Sequence, residues 1–481
     1  MTKHLDIDTK AMRAKILDLA IQGKLTNQRA EDGNARDLLK EIQAEKEKLI
    51  KEKKIKKGKP LPEIEADEIP FEIPKNWMWA RWGTLSISIK YGYNTSAQKD
   101  GKIKMVRISD IQNNQVNWDS VPFCNIPKEE ITQYLLRKND ILFARTGGTV
   151  GKSYLVSEVP ENVVYAGYLI RTRYSEKLSP QYLKYFMESD LYWSQLKKGT
   201  TTTAQPNCNA KTLGKMVLPL PPLAEQKRIA DKVATLFAQL DAIDKAYEEY
   251  RELQQTMKAK LLDLAVQGKL TDQRAEDGNA RDLLKEIQAE KEKLIKEKQI
   301  KKEKPLPEIT EEEKTFDIPE NWMWVRLGEM ILNHIGGGTP DKSNEAYWNG
   351  DIPWMSVKDV HQDSMYADRT IDSITPAGLE NSSSNLIEAN RLIVVMRMAV
   401  GRAVINKLPV AINQDLRALF FRDNVTQEYI LRIFKILKFE TSGMTVKGIK
   451  LWVLLNTPIP LPPLAEQKRI VAKLDELLPL L

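Results

Sequence analysis

From Leu223 onward, apolar residues recur at alternating spacings of four and three: Ile229, Val233, Leu236, Leu240, Ile243, Tyr247, Tyr250, Met257, Leu261 and Leu264. Only Gln254 interrupts the seam, which the spacing assigns to one long coiled-coil-like helix. Pro221-Pro222 before it and Gly268 after it supply start and stop signals. A helix of that span rises ~1.5 Å per residue, so its length is roughly 65–70 Å. Residues 35–59 and 280–304 are rich in interleaved Glu and Lys, the pattern of solvated helices with intrahelical ion pairs. Each is followed by Lys-Pro-Leu-Pro, an extended linker. Short β-rich runs come next. Lys104–Ile111, Asp140–Thr146 and Val163–Tyr174 read as strands, as do Ile352–Val360, Arg391–Met398 and Asp415–Arg422. Helices are expected over Ser179–Lys198 and Gln427–Lys438.

These elements occur twice. Residues 12–64 match residues 257–309 at an offset of 245 with six differences in 53 positions. The block PLPPLAEQKRI occurs at Pro219–Ile229 and again at Pro460–Ile470. Between the repeated blocks lie two segments, 83–218 and 328–459, with little similarity to each other. A solenoid would repeat every 20–50 residues, so this is a duplicated frame with two different inserts. Ile470, Leu474 and Leu477 begin the seam again, and Met12, Ile16 and Leu19 correspond to its far end. The frame is thus circularly permuted, and an antiparallel pairing of helices would give a pseudo-twofold axis with a second rod that is shorter or discontinuous. The fold class expected is α+β, two mixed α/β domains separated by long antiparallel coiled-coil-like helices. The boundaries expected are 1–70 (N-terminal helical region, completing the C-terminal repeat), 71–222 (first insert domain), 223–315 (central region), 316–463 (second insert domain) and 464–481 (C-terminal helix).

Charge separates the inserts. Residues 71–222 carry 20 basic and 12 acidic side chains, whereas residues 316–463 carry 15 and 16. The first has the balance of a phosphate-binding surface; the second gives no such signal. The whole chain of 481 residues is +7. It contains no apolar run long enough to span a bilayer and no secretory signal, and its two cysteines, Cys124 and Cys208, suit a reducing compartment. A cytoplasmic location is expected. Ala144–Ser153 approaches a phosphate-binding loop, but Thr146 stands where the first glycine belongs and a strand-like YLV follows, so a basic β-turn is favoured. No motif for adenine methylation, nucleophilic hydrolysis or metal-dependent cleavage occurs, and no catalytic, metal or cofactor residue is assigned. The four repeated tryptophans, Trp77, Trp79, Trp322 and Trp324, are expected to anchor each insert to the frame.

The duplicated QGKLT, EKEKLIKEK, PLPEI and twin PLPPLAEQKRI blocks resemble specificity subunits of type I restriction-modification systems, over essentially the whole chain. The resemblance implies a non-catalytic subunit with two target-recognition domains, each reading half of a gapped, bipartite, asymmetric DNA site. Conserved helices would set the spacing and dock two methyltransferase subunits. Restriction subunits would join in the full complex, with S-adenosylmethionine, ATP and Mg on the partners and no cofactor in this chain. The partners so implied are double-stranded DNA and protein subunits, with no membrane. The rival is a coiled-coil scaffold whose inserts bind proteins. For the DNA-binding role, the chemistry of base edges and phosphates selects Arg107, Ser109, Arg145, Thr146, Lys152, Lys197, Lys198, Thr200 and Asn207 in the first insert. In the second it selects Lys358, His361, Arg397, Arg402, Asn413, Gln414 and Lys447.

Overall fold

The structure, a computed structural model, describes residues 7–199, 207–362, 364–437 and 448–481. They form two compact units that meet in sequence at Tyr247 and Glu248, within the seam helix. That helix runs Leu223–Val266, starting directly after Pro222 and ending ahead of Gly268. Pro222 holds Pro221 in an extended conformation, and Pro222 O accepts the first helical hydrogen bond, from Gln226 N at 3.0 Å, so the helix begins where the prolines stop.

In the first unit the helix Thr9–Ile21, capped by the Asp8 carboxylate, lies against the first half of the seam helix. Arg13 sets its guanidinium 5.3 Å from the Phe237 ring and pairs with Asp241 (2.8 Å) and Asp244 (3.0 Å). Ile229, Val233 and Leu240 are buried, but Ile243, Tyr250 and Met257 are exposed. The seam is therefore a packing surface over its first half and a solvent-facing stripe in its middle. A coiled-coil seam would be covered along its whole length. The 13-residue helix accounts for part of the difference, since its last polar contact in this unit is with Asp244.

The frame repeats down to individual hydrogen bonds. Trp77 Nε1 donates to Glu225 at 2.7 Å and Trp322 Nε1 to Glu466 at 2.8 Å. Both acceptors lie in the first turn after the double proline, and both also accept from a Thr and a Gln: Thr26 and Gln28, Thr271 and Gln273. Burial pushes both carboxyls up, against these donors. The tryptophan indoles thus tie the entry strand to the exit helix, while Trp79 and Trp324 pack on Phe71 and Phe316. The entry strand Met78–Arg81 pairs antiparallel with the exit strand Val217–Leu220, and Met323–Arg326 with Pro458–Leu461. Arg81, buried, holds Glu68 and the carbonyls of Pro62, Glu63 and Lys215. Arg326 does the same with Glu313, Pro307, Glu308 and Asn456.

Inside each frame sits a mixed α/β insert. The first has an antiparallel sheet in the order Ser86–Tyr91, Leu169–Tyr174, Ile141–Ala144, Ser153–Leu155. Beside it, Ile103–Val106 pairs in parallel with Val163–Tyr165. The second repeats this plan with Asn333–Gly336, Leu416–Phe420, Leu392–Val395 and Ala403–Asn406, extended by Tyr366–Ala367. Its parallel pair is Trp348–Met355 with Val410–Ile412. Four expected elements are cut. The run 163–174 breaks at Ala166–Tyr168, and the helix 179–198 becomes Pro180–Phe186 and Asp190–Gly199. The strand 104–111 gives way after Val106 to the turn Ile108–Asp110, and the strand 352–360 gives way after Met355 to the turn Val357–Asp359; in these two an aspartate (Asp110, Asp359) caps the turn and ends the strand. The second expected helix is Asn424–Phe434. The Glu/Lys segments form Ala35–Lys51 and Ala280–Lys296, burying Ile42 and Ile287 against their inserts.

One contact distinguishes the linkers. In the second unit His334 lies between Arg417 (Nδ1, 2.8 Å) and Glu303 (Nε2, 2.8 Å), and Lys291 approaches the same carboxylate at 3.4 Å. Burial, reinforced by Arg417, holds the His334 imidazole below its usual value. It therefore donates through Nε2 and accepts at Nδ1. At the position of Glu303 the first linker has Gly58.

Candidate nucleic-acid interface

In the first insert, five chain segments converge at the ends of the two sheets. The parallel pair leads into the corner Arg107–Asp110 and the turn Ala166–Tyr168, joined where Ala166 N donates to Val106 O at 2.9 Å. Gly92 lies over that turn; a Cβ there would sit 2.2 Å from Ala166 O, so only glycine permits the approach. Arg145, leaving strand Ile141–Ala144, donates its N–H to Tyr168 O (3.1 Å) and accepts from Cys208 N (2.9 Å). Thr146 forms a β-bridge with Asn207.

The side chains on this lip are mostly cationic. Arg145 stacks its guanidinium 4.7 Å from the Tyr91 ring, and its Nε is buried without a hydrogen-bond partner among the described residues. Lys152 is exposed at the far side of the same turn. Lys197 and Lys198 are exposed at the end of helix Asp190–Gly199, which is pinned to that turn by Tyr192 Oη donating to Gly151 O at 2.7 Å. Arg107 grips Asp110 through Nε (3.1 Å) and Nη2 (2.7 Å), which raises its pKa and fixes the guanidinium; Ser109 is exposed on the same corner. The turn Thr146–Lys152 leads into strand Ser153–Leu155, which leaves it without the following helix that a phosphate loop requires.

The second insert builds the same lip from the same backbone bonds. Asn413 N donates to Met355 O (3.1 Å), Met396 N to Asp415 O (2.7 Å) and Ile449 N to Met396 O (2.8 Å), while Arg397 bridges Gly448. Gly337 takes the place of Gly92; a Cβ there would sit 1.9 Å from Ile412 O. Matching bonds put Ser356 where the first insert has Arg107, Lys358 at Ser109, Met396 at Arg145 and Arg397 at Thr146. They also put Arg402 at Lys152, Gln414 at Gly167 and Asp415 at Tyr168. The chemistry is different: Arg397 pairs with Asp415 at 2.6 Å. Lys358, His361 and Gln414 are exposed, and Gln414 accepts from Thr339. Arg402 is half-buried near Val360 O. Asn413 is buried, with both ends of its amide bonded to Asp415 (3.0 and 3.1 Å). Beside them opens a cleft of about 470 Å³ lined by Lys342, Trp348, Lys358, Met398, Gln414 and Asp415, among others.

The two lips thus gather Arg107, Ser109, Arg145, Thr146, Lys152, Lys197, Lys198 and Asn207 in one insert and Lys358, Arg397, Arg402, Asn413 and Gln414 in the other. His361 lies just beyond the second corner. Thr200 and Lys447 fall outside the described residues. Sequence reasoning passed over Tyr91, Tyr168, Trp348, Met398 and Asp415. The signal for Tyr168 is the Ala-Gly pair that interrupts the apolar run 163–174, a turn inside a strand pattern. Among the described residues no cluster of His, Cys, Asp or Glu is placed to hold a metal, and no helix is long and apolar enough to cross a membrane. Cys124 and Cys208 are buried and unpaired by disulfide; burial pushes the Cys208 thiol up to about 11.

A duplicated frame presenting two lips of one backbone design and different side chains defines a two-part recognition protein. The family model for the type I restriction modification DNA specificity domain matches twice, over residues 89–250 and 319–479. The chain belongs to the family of type I restriction-modification specificity subunits. It is 27% identical to the type I restriction enzyme EcoEI specificity subunit of Escherichia coli over 538 aligned residues, covering 97% of this chain and 88% of that one. The EcoAI specificity subunit of the same species is also 27% identical, with 98% and 89% covered. The crystal structure of the HsdS subunit from Thermoanaerobacter tengcongensis shares the fold, with a TM-score of 0.51, 22% identity and coverage of 85% and 90%. This assignment disfavours the protein-binding scaffold alternative.

Proposed function

We propose that the two lips are the DNA-reading faces, each contacting one half of a gapped, asymmetric site. The observation that carries this is the recurrence of one five-segment lip with different side chains at matched positions. A shared backbone supports a shared task, and divergent side chains support two different half-sites. The target-recognition domains are then residues 71–222 and 316–463. Regions 1–70, 223–315 and 464–481 form the frame that docks two methyltransferase subunits and sets the number of base pairs between half-sites. The chain itself performs no chemistry. S-adenosylmethionine is carried by the methyltransferase subunits, and ATP and Mg by restriction subunits in the full complex, in the cytoplasm.

The first lip holds DNA largely through phosphates, with Arg107, Arg145, Lys152, Lys197 and Lys198 as cations. The second relies more on polar base contacts by Lys358 and Gln414. The test is a map of methylated adenines in a host without adenine methylation, with this chain co-expressed with its methyltransferase subunit. A two-part motif that needs this chain, and of which one half alone changes when residues 83–218 are exchanged for another family member's insert, is the expected result. A motif unaffected by that exchange overturns the proposal.

A further inference from the structure

The turn joining strands Leu392–Val395 and Ala403–Asn406 carries Met398 at φ +73°. Ala399 N donates to Arg397 O at 2.9 Å, closing a three-residue γ-turn of the rare, strained hand around it. Among the described residues, every other non-glycine residue with positive φ is an asparagine, or a lysine just past a frame helix (Lys53, Lys298). Asparagine tolerates this conformation; methionine does so only at a cost.

The first insert shows what the fold itself asks for. The first insert's turn is one residue longer, and the residue that follows its bridging Thr146, as Met398 follows Arg397, is Gly147, at φ +75°, where an added Cβ meets nothing within 4 Å. Glycine satisfies the turn, and the space around it is open. Met398 nevertheless stands there in the second insert, 68% exposed, on the wall of the cleft it shares with Lys358, Gln414 and Asp415. Neither burial nor backbone preference accounts for an exposed apolar side chain on a strained turn, so its return comes from outside the chain. The Arg397–Asp415 pair holds the turn from its flank.

This inference rests on the DNA-reading role of the second insert and deepens it. A two-stranded ribbon fits the major groove, and the one apolar feature that base edges present there is the thymine methyl. We propose that Met398 packs on a thymine methyl in the half-site read by the second insert, making it a specificity-determining residue.

The test uses the full chain bound to its methyltransferase subunits and a duplex carrying the mapped motif. Each thymine of the second half-site is replaced in turn by deoxyuridine, which lacks only the methyl. The parent complex should lose about fourfold in affinity at one position, the effect of one buried methyl. Met398→Gly should bind the thymine and uracil duplexes alike. Its salt dependence should be unchanged and its Tm equal or higher, because the backbone strain is relieved; Met398→Ala should match it in binding. A parent insensitive to every uracil, or a Met398→Gly complex that keeps the thymine preference, overturns the inference. Exchange of residues 328–459 separates this from failure of the underlying reading. If that exchange leaves the second half of the methylated motif unchanged, the insert does not read DNA. If it changes the motif while Met398→Gly does nothing, only the role of Met398 falls.

Discussion

Arg81 and Arg326 stand in near-superimposable nests of one glutamate and three carbonyls, whereas Arg107 and Ser356, at matched corners of the inserts, share only the aspartate that caps their turn. In the frame, backbone and side chain repeat together. In the lips, the backbone repeats and the side chains do not. The difference separates two kinds of constraint. A buried guanidinium must have every partner present, so its surroundings cannot drift; an exposed corner needs only its turn, and its outward residues are free to specialise.

The largest effects should come from breaking the shared part. Arg81→Met and Arg326→Met each leave a carboxylate and three carbonyls without their donor, and each should destabilise its own unit by about 3–5 kcal/mol. Denaturant unfolding of the two variants should give matching losses; a loss confined to one would show that the copies are not energetically equivalent. Next in size, the lips should respond differently from each other. Gln414→Ala should relax selection at one position of the second half-site by about 1–3 kcal/mol, read by competition binding against single-base variants. Lys152→Ala in the first lip should instead weaken all sequences alike and lower the salt slope by about 1.

A pH comparison probes the frame without removing a side chain's volume. Hydrogen bonds from Arg326 and from the Thr310 backbone hold Glu313 down to about 2. Its folded value lies below its ordinary one, so its contribution is complete above about 4.5 and lost as pH falls through about 2. Glu313→Gln should therefore melt earlier than the parent at neutral pH, with the gap closing in acid. Glu68 is lowered for the same first reason, a hydrogen bond from Arg81, and Glu68→Gln should behave likewise. The smallest effect is expected at the solvent-facing pair Lys177–Glu41, spaced at 2.6 Å. Lys177→Ala should leave the thermal melting midpoint essentially unchanged, because water screens an exposed pair.

Much of this architecture was legible in the chain. The seam helix could be placed from Leu223 to just before Gly268 because prolines and glycine punctuate it, and the double frame because its residues recur. Elements governed by distant contacts were not. The break at Ala166–Tyr168 depends on Gly92 pressing onto it from another strand, and the interruption at Met187–Ser189 divides what reads as one amphipathic run. The lips were half legible. Polar residues suited to DNA could be chosen by chemistry, but not that Asn413 spends its amide on Asp415 two residues on, nor that Tyr168 and Asp415 occupy one position, which depends on backbone pairing with Arg145 and Met396 on a neighbouring strand. Exposed Ile243, Tyr250 and Met257 followed the seam's period and still faced solvent, because periodicity reports which residues share a face and not whether anything covers it.

The Glu303–His334–Arg417 chain makes traffic between the two slots directional. In the first insert the matched positions are Ile89 and Ile170, which ask nothing of the linker, and Gly58 offers nothing. Moved into the second slot, the first insert would meet a Glu303 that Lys291 already neutralises. Moved into the first slot, the second insert would arrive with Arg417 and His334 facing a glycine. Gly58→Glu would place there the carboxylate that His334 meets in its own unit, so a linker that looks like mere spacer carries part of the address of its cargo.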